Sequence, residues 1–425
     1  MRVVHVNLRL AVALAALAMA SPAHAAPISA HAMVHTCCTP TPMKERIFSE
    51  AKALGTAYIR VDIELSGIFA APDAEPNWTA LDETMELSRR HDLPVLGILL
   101  APPAGADEAD FGVLAGEVAE HAKGTIDHWE ILNEPDADWA FDGTPEEYAR
   151  MLSASYDAIK ATAPDDTVLL GGLARPHEPG WLERVFATPG ADALHKFDVA
   201  GVHLRGPVDA VVRRYGEFKA WLAARGFEGP LWVTEHGYPA DPAFQVDRAY
   251  TGGDAAQAAY LTQALVGLGE AGAPQVFVTL RDNPELGAQY VSEGLVGRAS
   301  FAAVQRLVQN WDQVMAWRDE QRENEREQRL EQAAAAISAS EARSARAKFR
   351  VARLRVHAAQ DEVARPLRSR KLKARLSRRL ARARAMLAGR RTMLLWHSAH
   401  ARWHWDRATE RGQAVELLKQ RIAGG

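Results

Sequence analysis

The sequence predicts an α/β chain, a (β/α)8 TIM barrel followed by a long C-terminal α-helical extension in the form of a hairpin or coiled coil. Three observations carry this. Eight short β-type runs alternate with amphipathic helical stretches over residues 26–312, the count and length of such a barrel. Residues 318–364 then contain neither glycine nor proline and are rich in Ala, Arg, Glu and Gln, which favour helix. Charge divides at about the same place. Residues 341–425 hold about 23 Lys and Arg against about 6 Asp and Glu, which leaves about 27 basic and about 48 acidic residues before them, so the net charge of -4 conceals two electrostatically opposite bodies. A doubly wound open sheet is the competing architecture, but no Gly-rich phosphate fingerprint follows the first run.

Length and composition set the frame. The 425 residues exceed one small domain, and 48% hydrophobic with 24% charged residues suits a globular protein with a large core. The first 25 residues, "MRVVHVNLRLAVALAALAMASPAHA", place Arg2 and Arg9 before an apolar run over 10–20 and end on the small-x-small triplet Ala23-His24-Ala25. This is the pattern of a secretory signal cut after Ala25. The run is too short to span a bilayer, and no later stretch nears the about 18 apolar residues a span requires. A cell-envelope or secreted location is expected, with an N-terminal anchor as the alternative. The expected division is 1–25 signal, 26–312 barrel and 313–425 basic helical extension.

The only cysteines, Cys37 and Cys38, are neighbours and make no stapling framework. A vicinal disulfide, an intermolecular bridge and two reduced thiols all remain open, and no catalytic role is assigned. The candidate strands follow in order at 31–35, 58–63, 95–100, 126–132, 168–172, 199–204, 231–235 and 276–280. Each is a short β-branched or aliphatic run. Helical patterns at 43–54, 79–91, 110–123, 144–163 and 209–225 fall between them.

Two of these strands end on a carboxylate. The fourth closes "WEILNEPD", placing Glu134 between Asn133 and Pro135, and about 100 residues later the seventh closes "LWVTEHGYP" on Glu235. Strand alternation puts Glu130 and Leu132 on the face of Glu134, and Leu231 and Val233 on that of Glu235. Glu130 therefore points into the barrel and needs a partner there. Two carboxylates at the carboxyl-end rim can cleave an acetal, one protonating the leaving oxygen and the other attacking the anomeric carbon. A raised pKa is expected for the acid and an arginine-supported, ionised state for the nucleophile.

The motifs "WEILNEPD" and "VTEHGYP" resemble those of clan A glycoside hydrolases, near the bacterial members of families 5 and 39, over about 31–308. The resemblance implies Glu134 as acid/base, Glu235 as nucleophile and Asn133 on the sugar 2-hydroxyl. It further implies Arg60, in "YIRVDI", as support for the nucleophile, and His203, in "GVHL", near the site. For Arg60 the plainer alternative is a structural ion pair with Asp62 or Glu64, and for His203 a core histidine. Trp139 and Tyr238, just after the two motifs, are candidates for stacking on sugar rings. The chain departs from the pattern at "VHLRGP", where Leu204 and Arg205 replace a common tyrosine, and at "VTLRDNPE", where Arg281 and Asp282 stand without a tryptophan platform. Arg205 and Arg281 are candidates to recognise an acidic sugar.

The expected activity is thus retaining hydrolysis of an extracellular poly- or oligosaccharide by two glutamates, with no cofactor and no metal. A transglycosylase using the same pair, or a carbohydrate-binding or envelope-scaffolding barrel without turnover, is the alternative. The basic extension is a spacer or oligomerising element, or an adhesive surface for an anionic envelope polymer. Nucleic acid is not an expected partner of an exported chain. Within it, His397, His400 and His404 share a helical stripe, a spacing open to zinc but read here as ordinary helix-face packing beside Trp396 and Trp403.

Overall fold

The computed structural model describes residues 26–283, 287–364 and 370–424; residues 1–25, expected to form a signal segment, and Pro366 lie outside them. Two compact units divide between Asp312 and Gln313. In the first, eight parallel strands close in sequence order: β1 (Ile28–His35), β2 (Ile59–Glu64), β3 (Val95–Leu100), β4 (His128–Asn133), β5 (Thr167–Leu173), β6 (Val199–His203), β7 (Leu231–His236) and β8 (Val276–Thr279). The crossovers are the helices α1 (Thr41–Leu54), α2 (Leu65–Ile68), α3 (Thr79–His91), α4 (Glu108–Ala122), α5 (Pro145–Thr162), α6 (Gly180–Ala187), α7 (Val208–Ala223), α8 (Asp254–Glu270) and α9 (Ala299–Gln309). This is the architecture read from the alternating runs.

Local chemistry fixes the helix starts. Asp107 caps α4 and Thr144 caps α5, each in a reciprocal capping box, and Pro145 opens α5 where its missing N–H has no partner to lose. One end of the barrel is sealed by a buried cluster of Leu96, Leu169, Val199, Trp232 and Phe277, with Tyr58 packed against it. The carboxyl ends of the strands are left to hold polar side chains.

There the regular ladder breaks. Pairing runs from His31↔Arg60 to His35↔Asp62, so four residues of β1 pass two of β2. Between them Met33 adopts φ 51°, and Ala101 (48°), Leu132 (61°) and Glu134 (46°) also have left-handed backbones. Such residues cost of order 1–3 kcal/mol each and persist where the surroundings over-determine them. At β4 the effect is to undo simple alternation, so that Leu132 and Asn133 line one cavity together.

The second unit consists of two long helices, α10 (Trp311–Ala364) and α11 (Arg370–Gly424). They run antiparallel, as Glu331 meets His404 at 2.6 Å while Glu341 meets His397 at 2.9 Å. Their buried face is made of small and aliphatic residues, among them Ala345, Ala352, Val356 and Leu418. No helix among the described residues is long and apolar enough to cross a membrane.

Candidate active site

The polar centre of the barrel is built on Arg60. Its stem rises from β2 into the interior, 1% exposed, and its guanidinium divides among three other strands. Nε donates to Glu130 at 2.7 Å, NH1 to Glu235 at 2.9 Å and to His31 Nδ1 at 3.1 Å, and NH2 to Asn133 Oδ1 at 2.7 Å. Glu130, fully buried, also accepts the Gly172 N–H at 2.7 Å. The partner that Glu130 required is thus Arg60, and Arg60 pairs with Glu130 and Glu235 rather than with Asp62 or Glu64. The latter two belong to a separate group with His35, whose Nδ1 lies 2.5 Å from Glu64 and 3.3 Å from Asp62. Those three donors converge as a divalent cation would require, but Glu64 is already held by Thr36 and His35.

An arginine can only donate, so His31 Nδ1 is an acceptor and the ring proton sits on Nε2, 3.5 Å from Glu235. Burial pushes His31 down to about 3, which agrees with a neutral ring. Burial alone would raise the Glu235 carboxyl, but His203, His31, Arg60 and Arg205 around it win, and it is held far below the usual carboxylate range. Glu235 is ionised.

Glu134 follows the end of β4, its N–H donating to Gly172 O at 3.1 Å. Its two oxygens are each engaged, Oε1 by His203 Nδ1 at 2.7 Å and Oε2 by the Trp139 Nε1–H at 2.6 Å. His203 is 5% exposed, and its Nε2 lies 3.6 Å from Glu235, so one imidazole stands between the two carboxylates. Gly172 makes room for it: a Cβ there would lie 2.3 Å from His203 Nε2. Oxygens of Glu134 and Glu235 come within 4.8 Å of one another. Glu235 borders a cavity of about 460 Å3, lined also by the polar Arg60, Asn133 and His31 and by the apolar Leu100, Leu132, Phe141 and Met151.

The pKa of Glu134 goes against expectation. Burial and the Glu235 charge raise it, but the hydrogen bond and charge of His203, with the Trp139 donor, leave it below the usual value rather than above. The apolar setting expected for an acid is replaced by two donors.

No protein-family model and no curated protein matches the sequence. Solved structures do resemble the barrel. A family 39 glycoside hydrolase from the gut symbiont Bacteroides cellulosilyticus WH2 superposes with a TM-score of 0.52 at 17% identity, over 65% of this chain and 63% of that one. A family 39 β-xylosidase from Caulobacter crescentus gives 0.53 at 17%, over 67% and 71%. A family 5 glycoside hydrolase from Streptomyces cattleya, in complex with GlcNAc, gives 0.51 at 16%, over 67% and 81%. The barrel is built like theirs. At such identity the likeness is one of fold, and the chain spans less than two thirds of the first structure's length.

The structure thus brings together Glu134, Glu235, Asn133, Arg60, His203, Trp139 and Arg205. Arg205 donates to the buried Glu293 at 2.9 Å and lies 3.6 Å from Glu235. Trp139 is 67% exposed, with the Arg175 guanidinium over its ring at 4.9 Å. Two expectations fail. Tyr238 is 1% exposed, stacked on Tyr260 at 3.7 Å with its hydroxyl donating to Tyr250 O, so it packs the wall and offers no ring to a sugar. Arg281 is held by both oxygens of Glu50 on α1, at 2.9 and 3.1 Å, which commits its charge to a structural pair.

His31 and Glu293 were missed. The run His31-x-Met33-x-His35 on the first strand was a usable signal, two imidazoles on one face of an inward strand. Glu293 had none, since it comes from an irregular segment after β8 and reaches Arg205 only because Gly237 lacks the Cβ that would strike its carboxyl at 2.3 Å. Cys37 and Cys38 are joined to each other, Cα atoms 3.8 Å apart. In the second unit His400 stacks on Trp396 at 4.7 Å while His397 and His404 each face a carboxylate, so the three rings serve packing and pairing across the hairpin.

Proposed function

We propose that the barrel is an exported retaining glycoside hydrolase that cleaves an O-glycosidic bond of a poly- or oligosaccharide by double displacement. One observation carries this: oxygens of Glu134 and Glu235, from the ends of strands four and seven, approach within 4.8 Å, with Glu235 lining a cavity and held ionised by Arg60. Retaining enzymes hold their carboxyls about 5–5.5 Å apart, whereas about 6.5–9.5 Å is needed when a water must fit between. Glu235 Oε attacks the anomeric carbon and the C–O bond to the leaving group breaks. The leaving oxygen takes a proton from Glu134, which is left ionised and held by the 2.7 Å hydrogen bond from His203 Nδ1. Glycosylation removes the Glu235 charge. The ionised Glu134, the form its two donors favour, then deprotonates the water that releases the sugar.

Glu134→Gln and Glu235→Gln are each expected to abolish hydrolysis on a polysaccharide panel. Azide is expected to rescue Glu235→Ala and yield the glycosyl azide of inverted configuration. Turnover undiminished in either glutamine variant ends the mechanism; binding without cleavage by the wild type favours the scaffold alternative. Export is tested by sequencing the N-terminus of secreted protein, expected to begin at Ala26.

A further inference from the structure

The second unit is stitched together unevenly. Where its two ends meet, carboxylates and cations pair across the hairpin: Glu331 with His404 at 2.6 Å and Arg407 at 3.0 Å, and Glu327 with Arg411. Residues 343–402 hold nineteen Lys and Arg against two Asp and Glu, of which Glu362 pairs with Arg379 at 3.2 Å. Within this part, a trough of about 510 Å3 on α10 is lined by Arg343, Arg346, Arg350 and Arg353 with Ala347 and Phe349. The four arginines are exposed, and none has a carboxylate partner among the described residues. Like charges so arranged repel, and the repulsion is relieved only by an anion from outside the unit.

We infer that this trough is a docking site for a linear anionic polysaccharide carrying about one carboxylate per sugar. The repeat favours that class. Spacings of three, four and three residues advance about 15 Å along the helix, a mean of about 5 Å per arginine, close to what one pyranose adds to an extended chain. Duplex DNA carries one charge per about 1.7 Å, which would leave most phosphates unmatched. Single strands are held by successive aromatic platforms, and here the trough offers one half-buried phenylalanine. The choice of a saccharide as the polymer rests on the function proposed for the barrel; the cationic trough does not.

The test is fluorescence anisotropy with the full chain and a labelled decamer of galacturonate, against a neutral β-glucan decamer and single-stranded DNA of equal length. Galacturonate is expected to bind most tightly, with affinity falling steeply as salt rises. Arg346→Glu/Arg350→Glu is expected to weaken it at least about tenfold. Arg382→Glu/Arg390→Glu makes the same charge change elsewhere on the hairpin and is expected to weaken it far less. Equal losses in the two variants, DNA preferred to galacturonate, or no binding at low salt each overturn the inference. Glu235→Gln is expected to bind galacturonate as the wild type does, so failure of the hydrolase proposal and failure of the trough register separately.

Discussion

Replacing Arg60 by methionine keeps the stem and removes the charge, and it strands two carboxylates at once. Glu130 is fully buried and loses the donor at 2.7 Å; Glu235 loses one at 2.9 Å but keeps Arg205 and His203 within 3.6 Å. Breaking a buried pair by removing one partner costs about 3–5 kcal/mol, and the second carboxylate argues for the upper end. Against the about 5–15 kcal/mol that holds a domain folded, such a loss is readily measured by urea unfolding. The decisive variant adds Glu130→Gln. A glutamine keeps an acceptor for the Gly172 N–H and carries no charge, so Arg60→Met/Glu130→Gln is expected to regain about 2 kcal/mol or more over Arg60→Met alone.

The same network predicts the pH dependence. Glu235 has a folded pKa depressed below its unfolded one, so its contribution is present above the unfolded value of about 4.3 and is lost as pH falls. The gap between wild type and Arg60→Met should therefore narrow in acid. A single-variant loss under about 1 kcal/mol at pH 7, or a double variant no more stable than the single, would refute Arg60 as the charge that holds the barrel interior together.

Asp62 runs the other way. Burial pushes its carboxyl up to about 6 despite Arg60 and His35, so it costs nothing below the unfolded value, with a cost that grows as pH rises from there to 6 and is complete above 6. Asp62→Asn is expected to exceed the wild type by up to about 3 kcal/mol above pH 6 and to match it near pH 3 in thermal melts; a difference independent of pH refutes this. Trp139→Phe removes the 2.6 Å donor to Glu134, so the Glu134 pKa should rise. With an activated aryl glycoside, whose second step limits turnover, the acidic limb of kcat should move to higher pH, and an unmoved limb would show that Trp139 does not tune the carboxylate.

How much of this was legible beforehand depends on the range of the interaction. The β-type runs and amphipathic stretches follow from periods of two and 3.6 residues, which is why α3 and β3 occupy the expected 79–91 and 95–100. The carboxylates at 134 and 235 were visible because a barrel puts every strand's carboxyl end on one rim. Their surroundings were not. Alternation assigned Glu134 a face, but the left-handed backbones of Leu132 and Glu134 reset it. Local spacing offered Arg60 only its neighbours Asp62 and Glu64, and its support of Glu235 came from the resemblance alone, because its partners lie 70 and 175 positions away. Tyr238 and Arg281 were judged by type and rim position, and both were taken up by the wall, through Tyr260 and Glu50.

The energetics of this interior bear on whether the barrel turns over substrate or only binds it. His31, Arg60, Glu130 and Glu235 are nearly inaccessible, and buried ion networks of this kind are commonly matched or bettered in stability by apolar residues of similar volume. Four left-handed residues at or beside the rim add strain. Gly172 and Gly237 each forgo a side chain at a point where His203 and Glu293 crowd in, so the backbone itself is shaped around the charged groups. Under the proposed function this expense has a use: a carboxylate kept ionised, with a second one and its imidazole a few ångströms away, suits a nucleophile.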